Sequence, residues 1–185
     1  MAVDYGPLKT LIGIWKGDKG LDIAPDPDGI EENPYHETME FTAVGDVTNA
    51  ESQTLAVIRY VQKVYHKGHG AQIHDQTGYW LWDAQKQEVI HSIAIPRGVC
   101  LLAGGKVTNE NDDEVMLTVK ASVDDKNYSI VQAPFMSDKA KTTAFELTLT
   151  LSDDKLHYKE TTMVDIYGGK NFEHVDENYL TRVSD

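Results

Sequence analysis

Apolar and polar residues alternate with a period of two over much of this chain. In Phe145-Glu-Leu-Thr-Leu-Thr-Leu151 four apolar side chains share one parity, while Glu146, Thr148 and Thr150 hold the other. Such alternation marks a β-strand with one dry and one wet face. Similar segments, rich in Val, Ile, Tyr and Thr, are predicted at Gly13–Gly20, Tyr35–Thr42, Gln53–Tyr65, Ile73–Trp82, Val89–Ile95, Val99–Val107, Glu114–Ser122, Thr143–Leu151, Leu156–Asp165 and Phe172–Val183. The punctuation between them is turn chemistry: Gly45-Asp46, His66-Lys-Gly-His-Gly70, Asp83-Ala-Gln-Lys86, Pro96-Arg-Gly98, Asn109-Glu-Asn-Asp-Asp113, Ser152-Asp-Asp-Lys155 and Gly168-Gly169.

Helix is nearly absent from this pattern. Gly6-Pro-Leu-Lys-Thr-Leu-Ile12 is the exception, a short helix started by proline, with Leu8, Leu11 and Ile12 on one face to cap a core. About ten short strands joined by hairpins are most easily freed of their edges by closing on themselves. The expected fold is all-β: a closed antiparallel up-and-down β-barrel of about ten strands with a short N-terminal helix, residues 1–185 forming one domain. The glycine-rich first strand, Gly13-Ile-Trp-Lys-Gly17, would let a sheet coil sharply around the Trp15 indole. Ala24–Pro34 is expected to be a loop long enough to serve as a lid. Asp124–Lys141 has little pattern beyond a strand remnant around Tyr128–Val131 and a breaker at Pro134.

Composition narrows the functions. With 30 acidic against 17 basic residues the formal net charge is -13, and no Lys/Arg run occurs. Nucleic acid and anionic membrane surfaces reward clustered basic residues, so neither is an expected partner. A single cysteine, Cys100, allows no internal disulfide and fits a reducing, cytoplasmic location. Within Val99-Cys-Leu-Leu-Ala103 it reads as a small buried hydrophobe. Met1–Pro7 has no basic region leading into an apolar run, and no apolar stretch of about 18 residues follows, so neither a secretion signal nor a membrane helix is expected.

Seven histidines are present, none in a strong metal-binding signature. His66 and His69 sit in a predicted hairpin tip, and His36, His91 and His157 read as packing or surface residues. His74 and His174 are the candidates. On its strand His74 shares parity with Gln76, Trp80 and Trp82, which makes Trp80 the candidate pocket wall; Trp15 reads as core.

Taken in order, Leu11-x-Gly13-x-Trp15-x-Gly17-x-x-Gly20, Tyr35-x-Glu37, Arg59-Tyr60-x-Gln62, His74-x-x-x-Gly78-Tyr79-Trp80, and His174 followed by Leu180-x-Arg182 resemble the nitrobindin family over about residues 8 to 183. That resemblance implies a haem-binding β-barrel with fatty-acid-binding-protein-like, lipocalin-like architecture. It implies His174 as the axial ligand of the haem iron and His74 as a pocket histidine on the opposite wall; with Gln76 and Trp80, which share the parity of His74, these are the expected cofactor-binding residues. The implied activity is nitric oxide binding or isomerisation of peroxynitrite to nitrate.

Two positions depart from the family pattern: Gln76 replaces a glutamate and Leu81 replaces an arginine. If the last strand is unbroken, His174 also shares its face with Asp176, Asn178 and Arg182, a polar lining that a bulge near His174 would reset. The first alternative is a haem-free carrier or sensor of a small apolar molecule, oriented by His74, Gln76 and Tyr79. A weaker one is an acid-base enzyme using His74 beside Asp75. The partner expected in every case is a small-molecule ligand in the barrel; a homodimer is compatible with the sequence.

Overall fold

In the computed structural model, which describes residues 2–111 and 114–183, eleven strands form one antiparallel sheet that closes on itself. They are β1 (Gly13–Asp26), β2 (Gly29–Ala50), β3 (Gln53–His66), β4 (Gln72–Asp83), β5 (Glu88–Ile95), β6 (Val99–Asn111), β7 (Glu114–Ser122), β8 (Ile130–Gln132), β9 (Ala140–Ser152), β10 (Lys155–Ile166) and β11 (Phe172–Val183). Each strand pairs with its neighbour in sequence up to β7, then β7 pairs with β9, β9 with β10 and β10 with β11. β11 returns to β1. β7 and β8 take successive halves of the same flank of β6, so ten strand positions make the ring. This is the expected up-and-down barrel. The predicted turn at 109–113 includes residues 112 and 113, which lie outside the described residues.

Three stretches differ from the sequence expectation. Ala24–Pro34 is no irregular loop: β1 and β2 continue pairing through it, with Pro25 opposite Ile30 and Pro34 opposite Leu21, and Pro27-Asp28 make the turn. Pro25 is tolerated because the β1–β11 pairing ends at Ile23, so its nitrogen lies on an unpaired edge. Gly45 does not end β2 either. The strand bulges between Ala43 and Gly45, whose φ of 122° favours glycine, and runs on to Ala50. Asp124–Lys141 contains β8 and a short helix, α1 (Pro134–Lys139), so that Pro134 both ends the strand, as a breaker should, and starts a helix.

One end of the barrel is solid. A 3-10 helix at Gly6–Leu11 buries Leu8 and Leu11 in one core cluster with Trp15, Trp80, Trp82, Phe41, Ile58 and inward residues of β7 and β9. The Trp15 indole N–H donates to the Leu11 carbonyl at 2.8 Å. Phe145, Leu147, Leu149 and Leu151 are all buried, as their alternation requires.

Cys100 is exposed, not buried as its apolar neighbours suggest. Val99, Leu101 and Ala103 take the inward positions of β6, which leaves Cys100 outward and exposed. A run of five small or apolar residues carries no parity signal, so the sequence does not say which alternate set points in.

Candidate functional site

Above the solid core the barrel interior becomes polar. Glu37 on β2, Gln62 on β3, Gln76 on β4, Tyr158 on β10 and Asn178 on β11 are all buried. The Glu37 carboxylate accepts from Gln62 Nε2 at 2.6 Å and Asn178 Nδ2 at 2.7 Å; Gln76 Nε2 in turn donates to Gln62 Oε1 at 2.9 Å. Tyr35 and Tyr158 join hydroxyls at 2.6 Å. The Tyr35 ring lies flat over Gly20, where any Cβ would collide with it. The family-like Tyr35-x-Glu37 and Gln62 positions therefore meet in one layer. Removal from water pushes the Glu37 carboxyl up to about 7 despite these hydrogen bonds.

The next layer opens into a cavity of about 460 Å³. Its deep wall carries Asp22, His74, Glu160, His174 and Asp176, and much of the rest is apolar, including Ile73, Ile93, Ile95, Val99, Val164 and Ile166. Arg97, in the β5–β6 turn, also lines it and stacks on Phe135 of α1 with 5.4 Å from guanidinium carbon to ring centroid. The cavity thus combines acidic groups, apolar walls and one guanidinium.

His174 lines this cavity. Its Nε2 meets Asp22 Oδ1 at 2.7 Å and lies 3.6 Å from Asp176 Oδ2. Burial alone would lower the imidazole pKa, but the Asp22 hydrogen bond and the charges of Asp176, Asp22 and Glu160 raise it. β11 runs unbroken here, so His174, Asp176 and Asn178 do share the inner face. The bulge is on β1 instead, between Gly17 and Leu21. It turns Leu21 outward and Asp22 inward, whereas counting by twos from Trp15 predicts the reverse.

His74, on the β4 wall, also reaches the cavity, and its Nε2 hydrogen-bonds Gln76 Oε1 at 2.9 Å. Gln76 lies beneath it in the buried polar layer. Trp80 keeps the predicted inward direction but sits deeper, stacked on the buried His91 at 3.9 Å, and is absent from the cavity lining. It belongs to the core, because successive inward residues of a strand descend through the barrel. Tyr79 points outward and is 45% exposed, so it does not reach a ligand inside. Arg182 lies at the solid end, far down the same face as His174: it donates to the Ile12 and Thr10 carbonyls and to Asp154.

Asp22, Glu160 and Arg97 are the cavity residues that sequence reasoning missed. Glu160 had a readable signal, since it shares parity with Leu156, Tyr158, Val164 and Ile166, as the one acid in an otherwise inward row. Removal from water pushes its carboxyl up to about 8, and that of Asp176 to about 6; the Asp176 charge adds to the Glu160 shift and the Asp22 charge to that of Asp176.

Comparison with known proteins decides the family. The model of the THAP4-like, heme-binding beta-barrel domain matches residues 4–182. The chain belongs to that family. This agrees with the nitrobindin resemblance of its motifs. Rv2717c from M. tuberculosis, a solved structure, superposes with a TM-score of 0.74 at 21% identity over 98% of this chain and 100% of that one, and so shares the fold. A beta-barrel-like protein of domain of unknown function DUF1849 from Brucella abortus aligns with a TM-score of only 0.26, at 10% identity over 94% and 99% of the two chains. No curated protein matches by sequence.

The cavity residues fit the group named by the family. A metal-ligating histidine commonly donates its second ring nitrogen to a carboxylate; Asp22 takes that part on His174 Nε2, which leaves Nδ1 for a haem iron. Apolar walls suit a porphyrin, and Arg97 offers a counter-charge for acidic substituents.

Proposed function

We propose that the barrel binds haem, with His174 as the residue that would ligate the iron and His74, supported by Gln76, lining the same cavity. The observation that carries this reading is the placement of a carboxylate-paired imidazole, His174 with Asp22, on the wall of a largely apolar cavity. Haem, when bound, would supply an iron for nitric oxide binding or for isomerising peroxynitrite to nitrate. The chain's own part is to hold the ring, place acids and imidazole beside it, and exclude bulk water.

Haem titrated into the purified protein should give a Soret band, and His174→Ala should lose or shift it. No band in the wild type, or an identical band in the variant, removes the assignment. The second reading is a haem-free carrier of a small apolar molecule, favoured by the apolar majority of the lining. Native mass spectrometry that finds an organic ligand in protein that takes up no haem would select it.

A further inference from the structure

Three carboxylates stand side by side on the cavity wall. Asp176 on β11 lies directly opposite Asp22 on β1 and directly opposite Glu160 on β10, so the three acids form one rank across adjacent strands. Like charges at directly opposed positions repel, and the interior screens them less than water does. No lysine or arginine of the cavity lining other than the Arg97 of the mouth turn is available to offset them. Glu160 makes no hydrogen bond among the described residues; only loss of water and neighbouring charges act on it. Its carboxyl reaches the same cavity as the other two acids.

The fourth group is His174. The ligand atoms of Asp22, His174 and Asp176 all lie within 4.8 Å of one another, with 2.7 Å from Nε2 to Asp22 and 3.6 Å from Nε2 to Asp176. Donors around a single ion, each about 2.1 Å from it, stand roughly 3 to 3.5 Å apart, so little movement would be needed. These donors converge as a set. One imidazole with two or three carboxylates suits a bare divalent ion of the first transition row, with positions left for water.

We infer that, without haem, the barrel holds one divalent transition-metal ion between Asp22, His174 and Asp176, with Glu160 as the adjoining carboxylate. This site is an alternative occupancy to haem at His174 and does not depend on haem binding. Cation and haem would exclude one another there.

Haem-free protein stripped with chelator should bind one equivalent of Zn²⁺ by calorimetry, and Co²⁺ should give visible d–d absorption from a protein-ligated ion. Asp176→Asn and Glu160→Gln, which keep shape and remove charge, should each weaken binding by about tenfold or more, with thermal melts confirming that both are folded. His174→Ala should abolish it. The idea is overturned by a wild type that takes up neither ion, or by binding that survives in all three variants, which would place the ion elsewhere, for example at the stacked His66 and His69 of the β3–β4 turn. Haem binding is followed by the Soret band. A Soret band in Asp176→Asn and Glu160→Gln with no metal uptake by the wild type leaves haem standing and removes the cation site, and metal uptake without a Soret band does the reverse.

Discussion

The Arg182 guanidinium lies over the Trp15 indole, 4.2 Å from its carbon to the ring, joining the last strand to the first at the solid end of the barrel. The same side chain donates to the Ile12 carbonyl at 2.6 Å, the Thr10 carbonyl at 2.7 Å and Asp154 Oδ1 at 2.9 Å. It therefore fastens the 3-10 helix and its following turn onto the ring. Hydrogen bonds from a charged donor and a cation–π contact are together worth about 2 to 4 kcal/mol here. Arg182→Ala should lower stability by that amount in urea denaturation. Arg182→Lys should recover only a part, because an ammonium cannot span three acceptors in a plane.

Tyr35 and Gly20 form a second such pair. With the ring of Tyr35 against the Gly20 Cα, Gly20→Ala forces a fully buried phenol to move. A loss of about 1 to 3 kcal/mol is expected, as for other overpacked cores. The Tyr35–Tyr158 hydroxyl contact should weaken with it, which amide exchange on β10 would report. An unchanged denaturation midpoint would show that the layer has slack the structure does not suggest.

The acids of the cavity make stability depend on pH in a direction opposite to that of ordinary ion-paired carboxylates. Glu160, at about 8, and Glu37, at about 7, keep their protons in the folded chain to higher pH than in the unfolded chain, where both are near 4.5. Between those limits the folded state binds more protons, so stability from these groups is full below about 4.5 and is lost as pH rises through 7 and 8. The wild type should therefore melt at progressively lower temperature from pH 5 to pH 9. Glu160→Gln, neutral throughout, should flatten that slope, and the gap between the two proteins at pH 9 should be on the order of a few kcal/mol.

Trp80 is placed to separate core from pocket. Trp80→Phe should cost about 1 to 3 kcal/mol of stability through the cavity that it leaves beside His91. Ligand affinity measured on the folded fraction should not change. A large affinity loss with little loss of stability would return Trp80 to the pocket wall.

Cys100, on the outer face, should react with a thiol reagent in the native protein nearly as fast as in the denatured one. Filling the cavity should leave that rate unaltered. A native thiol that reacts only on unfolding would contradict the outward placement.

The barrel was legible because hairpin punctuation and two-residue alternation are local signals. β7 and β11 have the predicted bounds, and the short helix packs Leu8 and Leu11 as their shared face requires. The floor of the cavity was less legible for a specific reason. A bulge in β1 shifts parity after Gly17, so Asp22 turns inward with nothing in the local sequence to announce it. The cross-strand rank of Asp22, Asp176 and Glu160 is likewise a matter of register between strands separated by many residues along the chain. Residues in Val99–Ala103 are all small or apolar, and so their facing was undetermined. The bridging segment between β7 and β9 was obscure because only three of its residues join the sheet, opposite Val99–Leu101 of β6, and the Gln132 amide then ties it to β9 by bonding both the carbonyl and the N–H of Thr142.

The paired arm of Ala24–Asp26 and Gly29–Pro34 has a bearing on strand-by-strand aggregation. A closed ring offers no row of free amides, but this arm extends past it, with β1 unpaired on its outer side after Ile23 and β2 meeting β3 only from Tyr35. Those exposed rims are where a foreign strand could zip on. Pro25 and Pro34 lack the amide hydrogen needed, and Asp26, Asp28, Glu31 and Glu32 add charge that a second acidic chain would repel. Replacing these prolines and acids with Val and Thr would turn the arm into a template for strand-by-strand aggregation.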